Sequence, residues 1–347
     1  MSLRLVFIVA IASLLTHWVS AADSRRPNIL YIFTDDQSYR TLSCYPGAYN
    51  YAKTPNIDRL AQDGILFTQA YTGAKCVPSR AMTLTGRFQF NVTDECKRYW
   101  AEDFRKQGYT TGMIGKWHWK KGTEMHQHGV AWDWSIVWDH GQKKEHKTYY
   151  WGQSVNINGA APVKLEGYST DRYSDFAIEF IKEQGDSSKP WYLWLCYGAV
   201  HGPYTPAERH KNLYENAPST RIPKDVFGPR PGKPEHMRNW TKWKKKNGQV
   251  VYKDRSFDSW VKQYNEAVSA IDEGVGRIYK ELKESGQLDN TIIIFTSDQG
   301  FAWGDHGLRD KRYPYDAALR NPLIVHAPNR FAKGETCAHP VNGPDIV

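Results

Sequence analysis

Two short segments of this sequence carry oxygen-bearing side chains directly after apolar runs. Asp35 and Asp36 follow the run NILYIFT, and Asp298 and Gln299 follow the run TIIIFT and one serine. Carboxylate and amide oxygens are the ligands that calcium and magnesium prefer, whereas zinc usually binds more histidine or thiolate. An Asp-Asp pair after a strand is also common as a turn or a helix cap. Because two such segments occur, the pattern favours a divalent cation site.

Positively charged side chains and proton donors follow other apolar runs. Lys116 and His118 come after a run at 110–114, His201 comes after WYLWLCYG, and Lys311 lies in a later polar segment. Taken singly, each residue is compatible with a surface position or a hydrogen-bonded histidine in the core. Together with a metal ion they suit hydrolysis of an anionic oxyester, because they can neutralise charge on its equatorial and leaving oxygens.

The segment AKCVPSRAMTLTGR, residues 74–87, contains one cysteine followed closely by an arginine. A cysteine-phosphatase loop needs arginine six residues after the cysteine, but that position holds Met82. A cysteine protease needs a histidine beside the thiolate, and nothing local indicates one. Pro78 favours the start of a helix, so Cys76 is predicted at a helix N-terminus with Arg80 four residues further on.

The elements that must position these residues alternate between strands and helices. This alternation predicts an α/β fold with a large, mostly parallel sheet sandwiched by helices. Ligands of such sheets bind at the carboxyl ends of the strands. Strands are predicted at 28–34, 65–71, 110–114, 191–196, 291–296 and 323–325, and helices from 55 and at 100–107, 168–183 and 257–284. The segments 120–165 and 203–255 fit the rhythm poorly and are predicted to be surface insertions.

The N-terminus is typical of an export signal. Arg4 is the only charged residue among the first 22, residues 5–15 are apolar, and small residues at 19–22 offer a cleavage site. The apolar run is too short to serve as a stable membrane anchor. We therefore expect a signal peptide at 1–22, one folded domain at 23–347, and a secreted or periplasmic location.

Charge and cysteine content narrow the class of protein. The formal net charge of the 347 residues is +9, which suits an exposed basic surface or attraction for an anionic substrate. No nucleic-acid-binding motif accompanies that charge, so nucleic acid is not an expected partner. The five cysteines are an odd number without a C-x-x-C motif. At least one thiol is therefore left unpaired, and a zinc or thioredoxin-like site is poorly supported.

The segment CVPSR at 76–80, with LTGR at 84–87, resembles the signature of the sulfatase family, in which this cysteine is oxidised to formylglycine during export. Further matching segments are NILYIFTDD at 28–36, GKWH at 115–118, HGP at 201–203, SDQG at 297–300 and DKR at 310–312. The resemblance implies an alkaline phosphatase-like fold, a sulfate-ester substrate and a formylglycine-generating maturation enzyme as partner. Family members usually continue into a small C-terminal antiparallel-sheet domain, so we expect this chain to be truncated at its C-terminus.

The resemblance also implies a metal site and a nucleophile. Asp35, Asp36, Asp298 and Gln299 would bind one calcium ion, with the formylglycine derived from Cys76 as a further ligand. Family members commonly have Asn or His where this chain has Gln299, whose longer arm changes the geometry. The hydrated aldehyde would attack sulfur through one hydroxyl, and its second hydroxyl would then expel sulfate.

The remaining matching residues would assist this chemistry. Arg80 would hold the aldehyde hydrate, and His118 would act beside it. Lys116 and Lys311 would bind the sulfate oxygens. His201 would protonate the leaving alcohol.

Two alternatives stay open at the level of sequence. One is a phosphomonoesterase or phosphodiesterase of the same superfamily, although those enzymes tend to use two metals and a Thr or Ser nucleophile. The other is an inactive glycan-binding fragment in which Trp132, Trp134 and Trp138 stack on sugars, although core packing is a commoner role for tryptophan. Export and the aromatic segments favour a sulfated carbohydrate or an aryl sulfate as substrate.

Overall fold

The computed structural model describes residues 26–93, 98–118, 128–138, 148–185 and 187–346. The predicted signal peptide at 1–22 and Cys96 lie outside the described residues. Within the described part, a large mixed sheet carries helices on both faces, which confirms the predicted α/β class. No helix in those ranges is both long enough and apolar enough to cross a bilayer.

The bounds of the elements follow in chain order. The strands are β1 (Asn28–Thr34), β2 (Ile65–Tyr71), β3 (Thr110–Lys116), β4 (Trp134–Trp138), β5 (Ser154–Ile157), β6 (Val163–Lys164), β7 (Trp191–Cys196), β8 (Lys244–Lys246), β9 (Gln249–Tyr252), β10 (Arg255–Ser256), β11 (Thr291–Ser297), β12 (Ala302–Trp303), β13 (Arg309–Asp310), β14 (Asn321–His326), β15 (Glu335–Cys337) and β16 (Val341–Asn342). The helices are α1 (Pro55–Gln62), α2 (Cys76–Thr85), α3 (Trp100–Lys106), α4 (Ser169–Glu183), α5 (Glu235–Arg238), α6 (Phe257–Glu284) and α7 (Asp316–Leu319).

The main sheet has the strand order β15-β2-β14-β11-β1-β7-β3-β4-β5-β6, and β16 also pairs with β2. Its centre, β11-β1-β7-β3-β4, is parallel throughout. By contrast, β14 runs antiparallel to both β11 and β2, and β5 runs antiparallel to β4. The parallel centre brings the carboxyl ends of four long strands to one edge, where the predicted site residues follow.

The central strand β1 shows why the sheet is covered on both faces. Successive side chains of a strand point to opposite faces, so a strand buried on both sides is apolar throughout. Leu30 and Ile32 pack in a core that includes α1, α4 and α6. Tyr31 and Phe33 pack in a second core that includes α2 and α3. All four side chains are fully buried.

One predicted insertion contains part of the sheet. Within 120–165, Trp134–Trp138 forms β4 and pairs in parallel with β3, so the prediction of a surface insertion is wrong for that stretch. Trp132 and Trp138 are fully buried in the two cores, which excludes them as sugar-stacking surfaces. The insertion at 203–255 instead forms a separate small sheet, β8-β9-β10, as a surface segment would.

Candidate active site

Four neighbouring parallel strands deliver the predicted polar residues to one edge of the sheet. Asp35 and Asp36 follow β1, Asp298 follows β11, Lys116 ends β3, and His201 lies in the loop after β7. The amide of Asp36 donates to Asp298 Oδ1 over 2.9 Å, which ties two of these strand ends together. The predicted convergence is therefore present in the structure.

The acidic residues and Gln299 form a buried, oxygen-rich group. Asp35, Asp36, Asp298 and Gln299 are each at most 2% exposed. The Nε2 of Gln299 donates to Asp36 Oδ1, and Asp36 adopts a left-handed backbone with φ of 60° that turns its side chain toward this group. Ligand atoms of Asp35, Asp36 and Cys76 all lie within 4.8 Å of one another.

The donor set fits a hard divalent cation. Among the described residues, Asp35 Oδ1 and Gln299 Oε1 are buried without a hydrogen-bond partner, although buried oxygens are normally satisfied. An oxygen-binding cation would satisfy both atoms at once. The side chain of Gln299 reaches the group despite its length, so the difference from the family pattern does not remove its oxygen from the site.

Electrostatics within the group favour an added positive charge. Burial alone would raise the pKa of Asp35, but Lys116 and other nearby cations hold it well below its usual range. Burial and the charge of Asp35 raise the pKa of Asp298. A carboxylate that is difficult to ionise beside another carboxylate is stabilised in its charged form by a bound cation.

Cys76 is the first residue of α2 and points into this group. Its Sγ accepts a hydrogen bond from Lys311 Nζ over 3.0 Å, and the same ammonium donates to Asp36 Oδ1 over 2.6 Å. The Cys76 side chain is 2% exposed, and burial raises the pKa of this thiol to about 11 despite the lowering effect of Lys116. The unmodified residue is therefore a thiol rather than a thiolate at neutral pH.

Arg80 lies one helical turn after Cys76 and links α2 to two strand ends. It is fully buried, and its guanidinium donates to the carbonyl of Lys116 over 2.7 Å and to Asp298 Oδ2 over 3.2 Å. Its Cζ also lies 5.1 Å from the centre of the Phe33 ring. This position allows Arg80 to fix the orientation of the first turn of α2.

Lys116 reaches the site because a glycine precedes it. Gly115 has φ of +98°, and a Cβ at this position would lie 2.0 Å from the carbonyl oxygen of Cys196. The Nζ of Lys116 donates to Asp35 Oδ2. His118 is partly exposed two residues beyond, with a left-handed backbone at φ of 55°.

His201 faces Asp36 from the loop after β7. Its Nε2 lies 3.6 Å from Asp36 Oδ2, and its ring stacks on Tyr149 at 4.2 Å between centroids. Its Nδ1 lies 3.0 Å from the carbonyl oxygen of Gly202, and since a carbonyl only accepts, Nδ1 carries a hydrogen. Burial lowers the pKa of His201, against the opposing effect of Asp36. Protonation at Nε2 would therefore occur at the atom nearest the reaction centre.

Three tyrosines at the site were not predicted from the sequence. Tyr149 stacks on His201 and its ring centre is 5.2 Å from Lys116 Nζ. Tyr264 donates to the carbonyl of Asp36 over 2.5 Å, and Tyr204 packs against Tyr264 at 5.5 Å. None of them lies next to a predicted site residue in a recognisable motif, except that Tyr204 follows the HGP segment.

The sequences of several named proteins align with most of this chain. It is 31% identical to an N-acetylglucosamine-6-O-sulfatase of Bacteroides thetaiotaomicron, over 90% of this chain and 65% of that protein. It is also 31% identical to the iduronate 2-sulfatase of Mus musculus, over 88% of this chain and 60% of that protein. The chain thus spans a little under two thirds of the length of these relatives.

A solved structure shares the fold. Its TM-score is 0.80 at 26% sequence identity, covering 93% of this chain and 75% of the other, and it was determined in complex with its substrate D-glucosamine-2-N,6-O-disulfate. The sulfatase family model matches residues 27–345, which disfavours the phosphoesterase alternative. The chain belongs to the sulfatase family.

Proposed function

We propose that this chain hydrolyses sulfate esters at the edge of the sheet where Cys76, Asp35, Asp36 and Lys311 meet. The observation that carries the proposal is the Lys311 ammonium, which contacts both Asp36 and the sulfur of Cys76. A group bonded at position 76 therefore lies beside a fixed positive charge. Such a charge stabilises the sulfate oxygens as negative charge develops on them.

Cys76 is, in this proposal, the precursor of formylglycine. A plain thiol whose pKa is raised to about 11 by burial is a poor nucleophile at neutral pH, which is consistent with a need for modification. Formylglycine in its hydrated form supplies one hydroxyl for attack on sulfur and a second that expels sulfate. The modifying enzyme is a partner that would act on the chain during export. The predicted signal peptide at 1–22 would direct that export.

The surrounding residues position and neutralise the ester. Lys311 and Lys116 bind sulfate oxygens, and Arg80 holds the side chain at position 76 from one turn below. His201 donates the proton from Nε2 to the leaving alcohol. His118, two residues beyond β3, assists at the nucleophile.

Asp35, Asp36, Asp298 and Gln299, with the modified residue 76, are the proposed ligands of one calcium ion. The two buried oxygens without a hydrogen-bond partner in the described chain support this choice. Calcium would supply positive charge against which the sulfate group and the nucleophilic oxygen are held. Before calcium binds, the charges of the three carboxylates are balanced by those of Lys116, Lys311 and Arg80. Addition of calcium would therefore make the centre cationic and suited to an anionic substrate.

A sulfated carbohydrate is the proposed substrate class. The relatives are named for action on N-acetylglucosamine 6-sulfate and iduronate 2-sulfate groups, and the solved neighbour holds a disulfated glucosamine. Aryl sulfates are expected to serve as surrogates.

The test is the mass of the peptide carrying Cys76, from full-length protein exported by its host, together with sulfate release by the same sample. The proposal expects an aldehyde or its hydrate at position 76 and release of sulfate from an aryl sulfate. A Cys76→Ala variant is the matched control and should release none. An unmodified thiol in a sample that hydrolyses sulfate esters would contradict the formylglycine mechanism, and a modified sample without turnover would contradict the activity.

A further inference from the structure

Two arginines share one group of aromatic rings beside the proposed reaction centre. We call Arg255, Arg309, Tyr204, Tyr252 and Trp260 the arginine–aromatic cluster. The Cζ of Arg309 lies 4.5 Å from the Tyr252 ring centre and 5.0 Å from that of Trp260. The Cζ of Arg255 lies 4.7 Å from the same Trp260 ring centre. Both arginine residues are partly exposed, although the Nε of Arg309 is itself buried.

These arginines lack the carboxylate partners that others in the chain have. Arg40 and Arg209, for example, form ion pairs with aspartates, whereas neither Arg255 nor Arg309 forms one within the described ranges. Arg309 donates from Nη2 to the Tyr204 hydroxyl over 3.2 Å, but its Nε is buried without a hydrogen-bond partner among those residues. Arg255 donates to the Ser259 hydroxyl over 2.8 Å, to the Ser259 carbonyl over 2.9 Å and to Gln263 Oε1, so its partners are neutral.

The nearby carboxylates make their hydrogen bonds elsewhere. Asp254 bonds Lys246 at 2.7 Å, Asp310 accepts from the amide of Lys311 at 2.8 Å, and Glu266 faces the amide of Tyr214 at 3.5 Å. Burial lowers the pKa of Arg255, and the charge of Glu266 opposes this without an ion-pair contact. Two like charges at one ring repel each other, and partial burial removes water that would screen them. An anion between or beside the two guanidinium groups would reduce their mutual repulsion and replace the water lost on burial. Guanidinium groups suit sulfate and carboxylate because they can donate two parallel hydrogen bonds.

The cluster is one layer of aromatic side chains away from Asp36. Trp260 and Tyr264 lie one turn apart on α6, on the same face of the helix. Tyr264 donates to the carbonyl of Asp36, and Tyr204 packs against both rings, at 6.1 Å from Trp260 and 5.5 Å from Tyr264. Arg309 precedes Lys311 by two residues along the chain.

We propose that the arginine–aromatic cluster binds a second anionic group, a sulfate or a carboxylate, on the substrate whose ester is cleaved at position 76. The inference rests on the proposed function and deepens it, because it selects saccharides with at least two anionic groups. Arg309 is the main contact, since among the described residues its side chain donates only to the Tyr204 hydroxyl and forms no ion pair, and Arg255 adds charge. The Tyr252 and Trp260 rings offer apolar surface to the sugar.

The test measures binding, so it does not depend on turnover. Calorimetry compares D-glucosamine-2-N,6-O-disulfate with D-glucosamine 6-sulfate on the full chain produced without the maturation enzyme, so that Cys76 stays a thiol and neither sugar is cleaved during the titration. The wild-type protein should bind the disulfate at least about 10-fold more tightly, the value of one charge-assisted hydrogen bond. Arg309→Met keeps an unbranched side chain against the rings and should abolish most of this preference, while the affinity for the monosulfate changes by less than about 2-fold.

Arg277→Met is the matched control. Arg277 is on α6, about 25 Å along that helix from Trp260, and it pairs with Asp175 at 2.8 Å. The Arg277→Met variant removes one positive charge, as Arg309→Met does, and should leave the preference intact. Equal affinity of the wild-type protein for both sugars would overturn the inference, as would a loss of affinity for both in Arg309→Met. Failure of the wild-type protein to release sulfate from an aryl sulfate would instead count against the proposed function.

Discussion

At the scale of single residues, the most informative contact is that of His201 with the reaction centre. Its Nδ1 is committed to the Gly202 carbonyl, so Nε2, facing Asp36, is the atom that gains and loses the proton. A group that protonates a leaving alcohol matters most when that alcohol is a poor leaving group. The alkoxide of a sugar hydroxyl is a poor leaving group, whereas nitrophenolate is a good one.

Replacement of His201 should therefore affect substrates unequally. We expect His201→Ala to lower kcat for a sugar sulfate by about 10²- to 10⁴-fold and kcat for nitrophenyl sulfate by much less. Steady-state rates on both substrates measure this difference. The control is His236→Ala, an exposed histidine on α5. A similar loss on both substrates would assign His201 to binding or structure instead of proton donation.

Residue types identified much of the candidate site, but not its internal contacts. Asp35, Asp298 and Lys116 could be predicted because each follows an apolar run, and parallel strands end at one edge. The bond between Lys311 and Cys76 joins residues 235 positions apart, and no local pattern predicts such a contact. The arginine–aromatic cluster could not be predicted from the sequence for the same reason.

At the scale of elements, the long apolar runs were sufficient to predict their strands. The segment 120–165, which mixes apolar and polar residues, was not sufficient to predict β4. NILYIFT and TIIIFT predicted β1 and β11 because a strand buried on both faces has no polar alternation. WSIVW, which forms β4, is also apolar, but the Trp-, His- and Gly-rich sequence around it suggested an insertion. Its strand character comes from pairing with β3, a tertiary contact that composition does not report.

The approach of β3 to β7 depends on Gly115. A Cβ there would lie 2.0 Å from the Cys196 carbonyl, and φ is +98°. We expect Gly115→Ala to lower the free energy of unfolding by about 2–4 kcal/mol and to displace Lys116, with loss of activity. Gly47→Ala isolates the backbone term, because Gly47 has φ of +82° but no atom within 4 Å of a Cβ. Its cost should be about 1 kcal/mol in denaturant unfolding, and equal costs for the two variants would refute the steric account.

Strand β14 carries a titratable group away from the site. His326 is 2% exposed, and burial lowers its pKa below the ordinary 6.5, although Asp63 acts in the opposite direction. Between its folded pKa and 6.5, the unfolded state binds more protons, so stability increases with pH and is lost as pH falls through this window. The slope from this one group is at most about 1.4 kcal/mol per pH unit.

Urea unfolding at pH 7.5 and pH 5.5 tests this contribution. We expect His326→Gln to lose stability less steeply than the wild-type protein on acidification, because glutamine does not titrate. The exposed His236→Gln should behave as the wild-type protein does. Parallel pH dependences for wild-type and His326→Gln would show that other groups account for the acid sensitivity.

At the scale of the whole molecule, the cation site should stabilise the fold as well as the reaction. Its proposed ligands follow two strand ends and begin α2, so an ion bound there links β1 and β11 to the first turn of that helix. Binding to the folded state alone stabilises a protein by RT ln(1 + [L]/Kd), about 2.7 kcal/mol at one hundred times the Kd. We expect chelation to lower the Tm and calcium to restore it, with magnesium less effective because the buried ligands leave little room for its retained water.

Asp298→Asn distinguishes this site from calcium bound elsewhere. The substitution removes one carboxylate charge while keeping a similar shape and an amide oxygen. Because Asp298 pairs with the fully buried Arg80, the metal-free variant should be less stable than the metal-free wild-type protein, so the quantity compared is the rise in Tm that calcium causes in each protein. Its Tm should then respond to calcium far less than that of the wild-type protein. An Asp254→Asn control, at an exposed carboxylate, should keep the full response. An equal calcium response in all three proteins would place the ion outside the proposed site.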